Sequence, residues 1–371
     1  MECGPVRFMG TYSELSRHIE EHLKDPQSAK ERQEVIGRGL LSLPALGEFL
    51  HQDLPIEQTE RIEALLKAIL RTAMSRPMSG QEARRIAQFQ KDVGFILKYK
   101  SYAIKAATPV GYSIFLQSER EGFSFQHHVV HKLEVFHILS VKPGGYVFLC
   151  GFDDWKRMYE KDSFEHWLNG EANPAYERYK FVPEPGDVFI ISELGVVHTV
   201  IGCVLEEYAT VSTDMVERLH DQNTDKEIPA GFDRAHADPV LRAIESPAHN
   251  RLVTGLGEKR LEYIQPARVQ GGERTLLCDS FVTAARYVIE PGKETALADD
   301  DTRTVLLRMA GGSGTIAIAD SAECANPLPR LPFERGDLFL IPPGIRYAVR
   351  NESSGYIGYS EHCIAPEVAF I

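Results

Sequence analysis

The sequence predicts a mainly β protein, two strand-rich barrels preceded by a helical N-terminal region. Three observations predict it. From about position 108, short runs of Val, Ile, Phe and Tyr are separated by Gly and Pro turns, the texture of antiparallel strands in a sandwich or barrel. Two parts of this region repeat: Gly186-Asp-Val-Phe-Ile190 matches Gly336-Asp-Leu-Phe-Leu340, and Gly195-Val-Val-His198 matches Gly344-Ile-Arg-Tyr347. Before it, the pattern is helical rather than alternating.

The helical region spans 1–107. Thr11-Tyr-Ser-Glu14 and Ser79-Gly-Gln-Glu82 fit the capping box, in which a hydroxyl and a carboxylate satisfy each other's backbone donors at a helix start. Ile62, Leu65, Leu66, Ile69 and Leu70 share one helical face, and Pro44, Pro55 and Pro77 separate the stretches. These helices read as a scaffold packed on a barrel, in preference to a lid or a dimerisation surface. The first barrel spans 108–238. A helical insertion interrupts it at Asp153–Glu160 and Ser163–Leu168, and a charged connector around 217–240 closes it. The second barrel spans 239–371. There Tyr347 stands where the first copy has His198, and 290–303 holds no histidine, so this barrel is expected to bind no metal and to serve packing or dimerisation.

Composition narrows the function. With 43% hydrophobic and 25% charged residues the chain is an ordinary globular one. Its length of 371 residues allows two or three domains. A net charge of −12 argues against nucleic acid, which needs a basic stripe, and against an anionic membrane surface. No apolar run reaches the about eighteen residues of a membrane span, and no signal-peptide pattern opens the chain. The six cysteines form no Cys-x-x-Cys pair, which points to reduced thiols in a cytoplasmic protein rather than disulfides or a thiolate zinc site.

The chemistry gathers in the first barrel. Ser124-Phe-Gln-His-His128 is strand-like, so Gln126 and His128, two apart, face the same way. Glu134 opens the next strand, and His198 ends a glycine-turn, strand, glycine-turn segment that starts at Pro185. An amide oxygen, two imidazoles and a carboxylate are ligands a divalent metal accepts. Gln126, His128, Glu134 and His198 are the expected metal ligands, with His131 in reserve should a bulge turn it inward.

These motifs resemble a known family. The Gly-Asp-x-Phe-x-Ile…Gly-x-x-His element is similar to the second motif of the cupin superfamily. Its two copies imply a bicupin, two double-stranded β-helix (jelly-roll) barrels. The first barrel looks like type I mannose-6-phosphate isomerase. That family carries Ser-x-Gln-x-His, a glutamate before an aromatic strand, and a Pro-Gly-Asp strand ending in histidine. The resemblance implies Gln126, His128, Glu134 and His198 as zinc ligands. It also implies a functional arginine at Arg218, within Asp214-x-x-x-Arg218-x-x-Asp221.

The implied activity is a metal-dependent aldose–ketose isomerase or epimerase acting on a sugar or sugar phosphate. It would use one divalent metal, zinc first and Fe(II) as the alternative. Proton transfer needs a base, for which His131, His137 and Glu193 are candidates by type. Arg218 is the candidate for a developing oxyanion, and Lys132, Lys156 and Arg157 are candidates for a substrate phosphate. Trp155 and Trp167 are candidates for a sugar face. An Fe(II)-dependent cupin oxygenase, held by two histidines and a carboxylate, and a non-catalytic sugar-binding bicupin are the alternatives. The expected partner is a small-molecule substrate, with no nucleic acid and no membrane. A homodimer is the assembly considered.

Overall fold

A computed structural model of the protein describes residues 78–93, 95–99, 103–106, 111–117, 119–120, 122–128, 132, 134–191, 194–209, 216–220, 250–254, 262–279, 282–298, 303–323 and 327–364. The first element among the described residues is helix α1 (Gly80–Val93). The first barrel follows as β1 (Phe95–Tyr99), β2 (Ala103–Ala106), β3 (Gly111–Leu116), β4 (Phe125–His128) and β5 (Glu134–Gly151). Helices α2 (Phe152–Met158), α3 (Lys161–Leu168) and α4 (Pro174–Glu177) form the insertion. The barrel continues with β6 (Lys180–Phe181), β7 (Asp187–Ile191), β8 (Val196–Ala209) and β9 (Val216–His220), and then β10 (Asn250–Thr254) and β11 (Glu262–Ile264). The second barrel comprises β12 (Ala267–Val269), β13 (Gly272–Asp279), β14 (Val282–Ile289), β15 (Thr304–Met309), β16 (Gly314–Asp320), β17 (Arg330–Phe333), β18 (Leu338–Ile341), β19 (Ile345–Asn351) and β20 (Ile357–Ile364).

The mainly β, two-barrel expectation holds, and the repeat extends to strand order. One sheet runs β1-β2-β3-β8-β5-β7 and the other β12-β13-β14-β20-β15-β18. The matching turns are alike atom for atom. In Glu184–Asp187 and Glu334–Asp337 the aspartate side chain accepts the glutamate N–H at 2.8 Å in each copy. Gly186 and Gly336 take positive φ values of 95° and 86°, which only glycine adopts without strain. In the first barrel β5 and β8 are long strands that bend and cross both walls; in the second their counterparts split into β15/β16 and β19/β20.

Two boundaries differ from the sequence reading. Strands begin at Phe95 rather than 108, because β1 and β2 pair onto β3 at the sheet edge. Residues 250–254, past the expected boundary at 239, join the first sheet by parallel pairing of β10 with β7. The expected helices of 1–77, including the Thr11 cap, lie outside the described residues. Ser79 and Glu82 do form the expected capping box, with the Ser79 N–H donating to Glu82 Oε2 at 3.0 Å. α1 packs on the second barrel. Its Ala83 and Ala87 enter that barrel's core, Gly80 N–H donates to Asp320 Oδ2 at 2.6 Å, and Arg84 pairs with Glu323 at 2.8 Å.

Each outer wall of the first barrel is covered, and this keeps its interior dry. Phe115, Phe136, Ile138, Val147, Phe189, Val200 and Leu205 fill the inside. The insertion helices cap one outer wall through an aromatic cluster of Phe125, Phe148, Trp155, Phe164, Trp167 and Tyr176. Each such buried side chain contributes roughly 1.5–3 kcal/mol by removal of apolar area from water. The other outer wall faces the second barrel. There Glu206 on β8 pairs with Arg308 on β15, and both side chains are fully buried. Glu206 also accepts from Tyr112 Oη at 2.9 Å and Tyr208 Oη at 2.7 Å, and lies 3.3 Å from His137 Nδ1. Burial alone would raise its pKa, but Arg308 and His137 outweigh that and hold it well below the usual carboxylate range. Removing one partner of such a pair costs about 3–5 kcal/mol, because a charge is then left buried alone.

His362 lies in the same seam, its ring centroid 3.9 Å from that of Tyr208. Burial lowers its pKa from 6.5 to about 3, with the attraction of Glu206 only partly opposing. The unfolded chain therefore takes up this proton near pH 6.5 and the folded chain only near pH 3. Stability from this group is complete above pH 6.5 and falls as pH drops toward 3. Urea midpoints measured from pH 7 to 4 are expected to decline, and His362→Gln is expected to flatten that decline.

Candidate metal centre

Strand periodicity sorts the histidines of β4. Phe125 and His127 face outward, Phe125 into the aromatic cluster and His127 against the Phe152 ring, with its Nε2 2.8 Å from Glu217. Gln126 and His128 face inward. Gln126 stands in register opposite His198 of β8, and Glu134, the first residue of β5, completes the group. One ligand atom from each of His128, Glu134 and His198 lies within 4.8 Å of the others. Glu134 Oε2 is 3.1 Å from His128 Nε2 and 3.3 Å from His198 Nε2, and all three side chains are buried.

The donor set fits a divalent metal. His198 Nδ1 donates to the Val196 carbonyl at 2.9 Å, and a carbonyl only accepts, so the proton sits on Nδ1 and the Nε2 lone pair points into the group. Neither ring nitrogen of His128 and not Glu134 Oε2 has a hydrogen bond, although all are buried. Orphaned lone pairs that converge in a dry interior are what a cation satisfies. Protonation states agree. Burial lowers the His198 pKa to about 4, so its imidazole is neutral at pH 7. Burial would raise Glu134, but the Lys132 ammonium first, then His128 and His198, hold it well below the usual carboxylate range.

Gln126 is brought to the group, though not by its oxygen. Its Nε2 lies 3.5 Å from His198 Nε2, while its Oε1 accepts from Ser124 Oγ at 2.8 Å. A half-turn of the amide would exchange the two ends. Arg218 is exposed and stands opposite Gln126 in the β4–β9 ladder, on the ligand side of the strand. Lys132 Nζ lies 2.5 Å from Glu134 Oε1. Its ammonium balances the charge of that buried carboxylate.

Other expectations are corrected. His137 is no base for this site: it lies three residues from Glu134 on β5, so it faces the opposite wall and meets Glu206. Trp155 and Trp167 are 3% and 5% exposed inside the aromatic cluster, so neither offers a ring to a sugar. Lys156 and Arg157 are exposed on α2 and pair with Asp153 and Asp154 of the same helix. His131, Glu193, Asp214 and Asp221 lie outside the described residues. The Glu206–Arg308 seam escaped the sequence reading. Its one signal is a charged residue inside each of two apolar strands, Val204-Leu-Glu206 and Leu306-Leu-Arg308.

The second barrel has apolar or aromatic groups at the places that match Gln126, Glu134 and His198. Ala298 bridges Tyr347 as Gln126 pairs with His198, and Val305 meets Ile341 as Glu134 meets Ile191. Tyr347 donates its hydroxyl to Glu361. Among the described residues, the first barrel holds the one group of three or more candidate ligands.

No protein-family model matches the chain, and no curated protein does. Solved structures do. The oxalate decarboxylase of Bacillus subtilis at pH 4.6 matches at 13% identity with a TM-score of 0.44, covering 72% of this chain and 73% of that one. The formate complex of Lactobacillus farciminis oxalate decarboxylase matches at 11% identity with a TM-score of 0.46, covering 74% and 85%. Likenesses this distant carry no chemistry to this chain. The resemblance to mannose-6-phosphate isomerases rests on sequence motifs alone.

Two outcomes are expected. Elemental analysis of purified protein should find one metal per chain, and His198→Ala should weaken its retention at least about tenfold, since a lost ligand opens the site to water. Lys132→Met removes the ammonium that lowers the Glu134 pKa. Protons then compete better for that carboxylate, so the pH at which half the metal is released should move upward.

Proposed function

We propose that the chain is a metal-dependent enzyme whose first barrel acts on a small, polar, negatively charged metabolite. The observation that carries this reading is the buried His128, Glu134 and His198 group, whose ligand atoms converge on one another with Gln126 beside them. Three protein ligands leave coordination positions for a substrate. A divalent cation there would polarise a substrate oxygen as a Lewis acid.

The chain's own residues divide the remaining work. Lys132 fixes Glu134 through Oε1 and leaves Oε2 directed at the two imidazoles. Val196 fixes the His198 tautomer. The register of Arg218 opposite Gln126 supports it as the planar fork for a substrate carboxylate or phosphate. The aromatic and aliphatic interior keeps water away, which strengthens each of these charges.

Two finer readings follow from different observations. Aldose–ketose isomerisation of a sugar or sugar phosphate is supported by the order Gln126, His128, Glu134, His198, Arg218, with Gln126 as fourth ligand after its amide turns. An Fe(II)-dependent oxygenase is supported by the hold of Ser124 on the Gln126 oxygen, which leaves two histidines and one carboxylate.

Protein loaded separately with zinc and Fe(II) should be tested against aldoses, sugar phosphates and small carboxylates, with oxygen uptake followed by electrode. Sugar isomerisation by the zinc form without oxygen uptake supports the first reading. Oxygen uptake by the Fe(II) form alone supports the second. Ligand binding that survives metal removal, with no turnover in either form, would overturn the enzyme reading. Arg218→Ala is expected to leave metal content and folding unchanged and to lower turnover by about 10- to 1,000-fold, as expected when a charge stabiliser is removed.

A further inference from the structure

The seam between the barrels follows the internal repeat. In the ladders to β7 and β18, His137 faces Val188 as Arg308 faces Leu338. In the ladders to β8 and β20, Glu206 faces His137 as Ser360 faces Arg308, and Tyr208 faces Val135 as His362 faces Leu306. Ser360 is therefore the counterpart of Glu206. The first barrel sends a carboxylate into the seam at this place, and the second sends only a hydroxyl.

The surroundings of Ser360 suit the missing charge. Ser360 sits between Arg286 of β14 and Arg308 of β15, in register with both, and all three side chains are buried. Arg308 spends Nη1 on Glu206, and its Nε and Nη2 are buried without a hydrogen bond. Ser360 Oγ is buried without one as well, as are both ring nitrogens of His362. Guanidinium groups only donate, so what satisfies Arg308 is an acceptor. Two guanidiniums flank this place, and Glu206 is the carboxylate that acts on both. A positive field over orphaned donors favours an anion over a neutral acceptor.

We propose that the seam binds a small monovalent anion, of the size of a halide, against Arg308 and Ser360, where it stands in for the carboxylate that Glu206 supplies in the first barrel. It closes the polar layer that joins the two barrels and so stabilises the pair. It is independent of the metal centre, which lies on the other side of β5 and β8.

Bromide is the probe. Crystals of the full-length protein grown in bromide should show an anomalous peak within hydrogen-bonding distance of Arg308 Nη2 and Ser360 Oγ. The thermal midpoint should rise by about 2–5 °C between zero and 0.5 M bromide, relative to fluoride at the same ionic strength. Fluoride controls for screening, because it is more strongly hydrated and screens equally. Ser360→Ala should shrink the difference. Ser360→Glu, which supplies the carboxylate covalently, should abolish it and match the bromide-bound midpoint without halide. Arg308→Lys keeps the pair with Glu206 but loses the orphaned donors, and should also abolish it. Equal midpoints in bromide and fluoride for the parent protein, or a density at Ser360 with no anomalous signal, would overturn the proposal. So would a bromide effect of undiminished size in Ser360→Glu and Arg308→Lys.

Discussion

The structure depends on the antiparallel ribbon of β5 and β8. These two strands run side by side across both walls of the first barrel, from Glu134 opposite Ala209 to Gly151 opposite Val196. Period-two alternation makes each strand serve two surfaces at once. Inward, β5 presents Glu134 and β8 presents His198. Outward, the same strands present His137, Glu206 and Tyr208 to the second barrel. A one-residue slip would exchange the two sets, placing ligands in the seam and seam charges in the core. At Gly202 the register of the two strands shifts, from Val141 opposite Cys203 to Tyr146 opposite Ile201; its φ is 65°, and a Cβ there would stand 3.0 Å from the Glu119 carbonyl oxygen and 3.1 Å from the Gly145 Cα, so glycine lets β8 bend from one wall to the next.

The two polar clusters on this ribbon are handled in opposite ways. At the metal centre, lone pairs converge with too few protons, and a divalent cation is the group that resolves it. In the seam, donors converge around a single carboxylate, and an acceptor resolves it. Each cluster is buried, so each imbalance is felt at low dielectric and is worth more than the same arrangement on the surface. The second barrel avoids the first problem by giving up the ligands. Val305 and Tyr347 replace Glu134 and His198, and Tyr347 turns its hydroxyl to Glu361, whose carboxyl is raised by burial.

Much of the fold was legible in the sequence because turn chemistry is local. Gly186-Asp187 and Gly336-Asp337 announce the same turn twice, since positive φ and a short acceptor side chain admit few residues. The insertion helices were legible from their own spacing. The joining of β10 to β7 was not, because parallel pairing across some sixty residues leaves no local mark.

By itself the sequence determined which residue types stand on which strand face, and so named Gln126, His128, Glu134 and His198 as one inward set and Tyr347 as the place where the second copy departs. Alternation and register are properties of one chain segment and its neighbours. Only the tertiary structure decided what those faces meet. It turned the Gln126 oxygen to Ser124 and the Lys132 ammonium to Glu134. It sent His137 away from the centre it adjoins in sequence, and it packed both tryptophans out of reach of a substrate. It also set Arg308 against Glu206, 102 residues apart. A side chain's partner depends on how walls pack, and that packing is a balance over the whole chain that no short motif records.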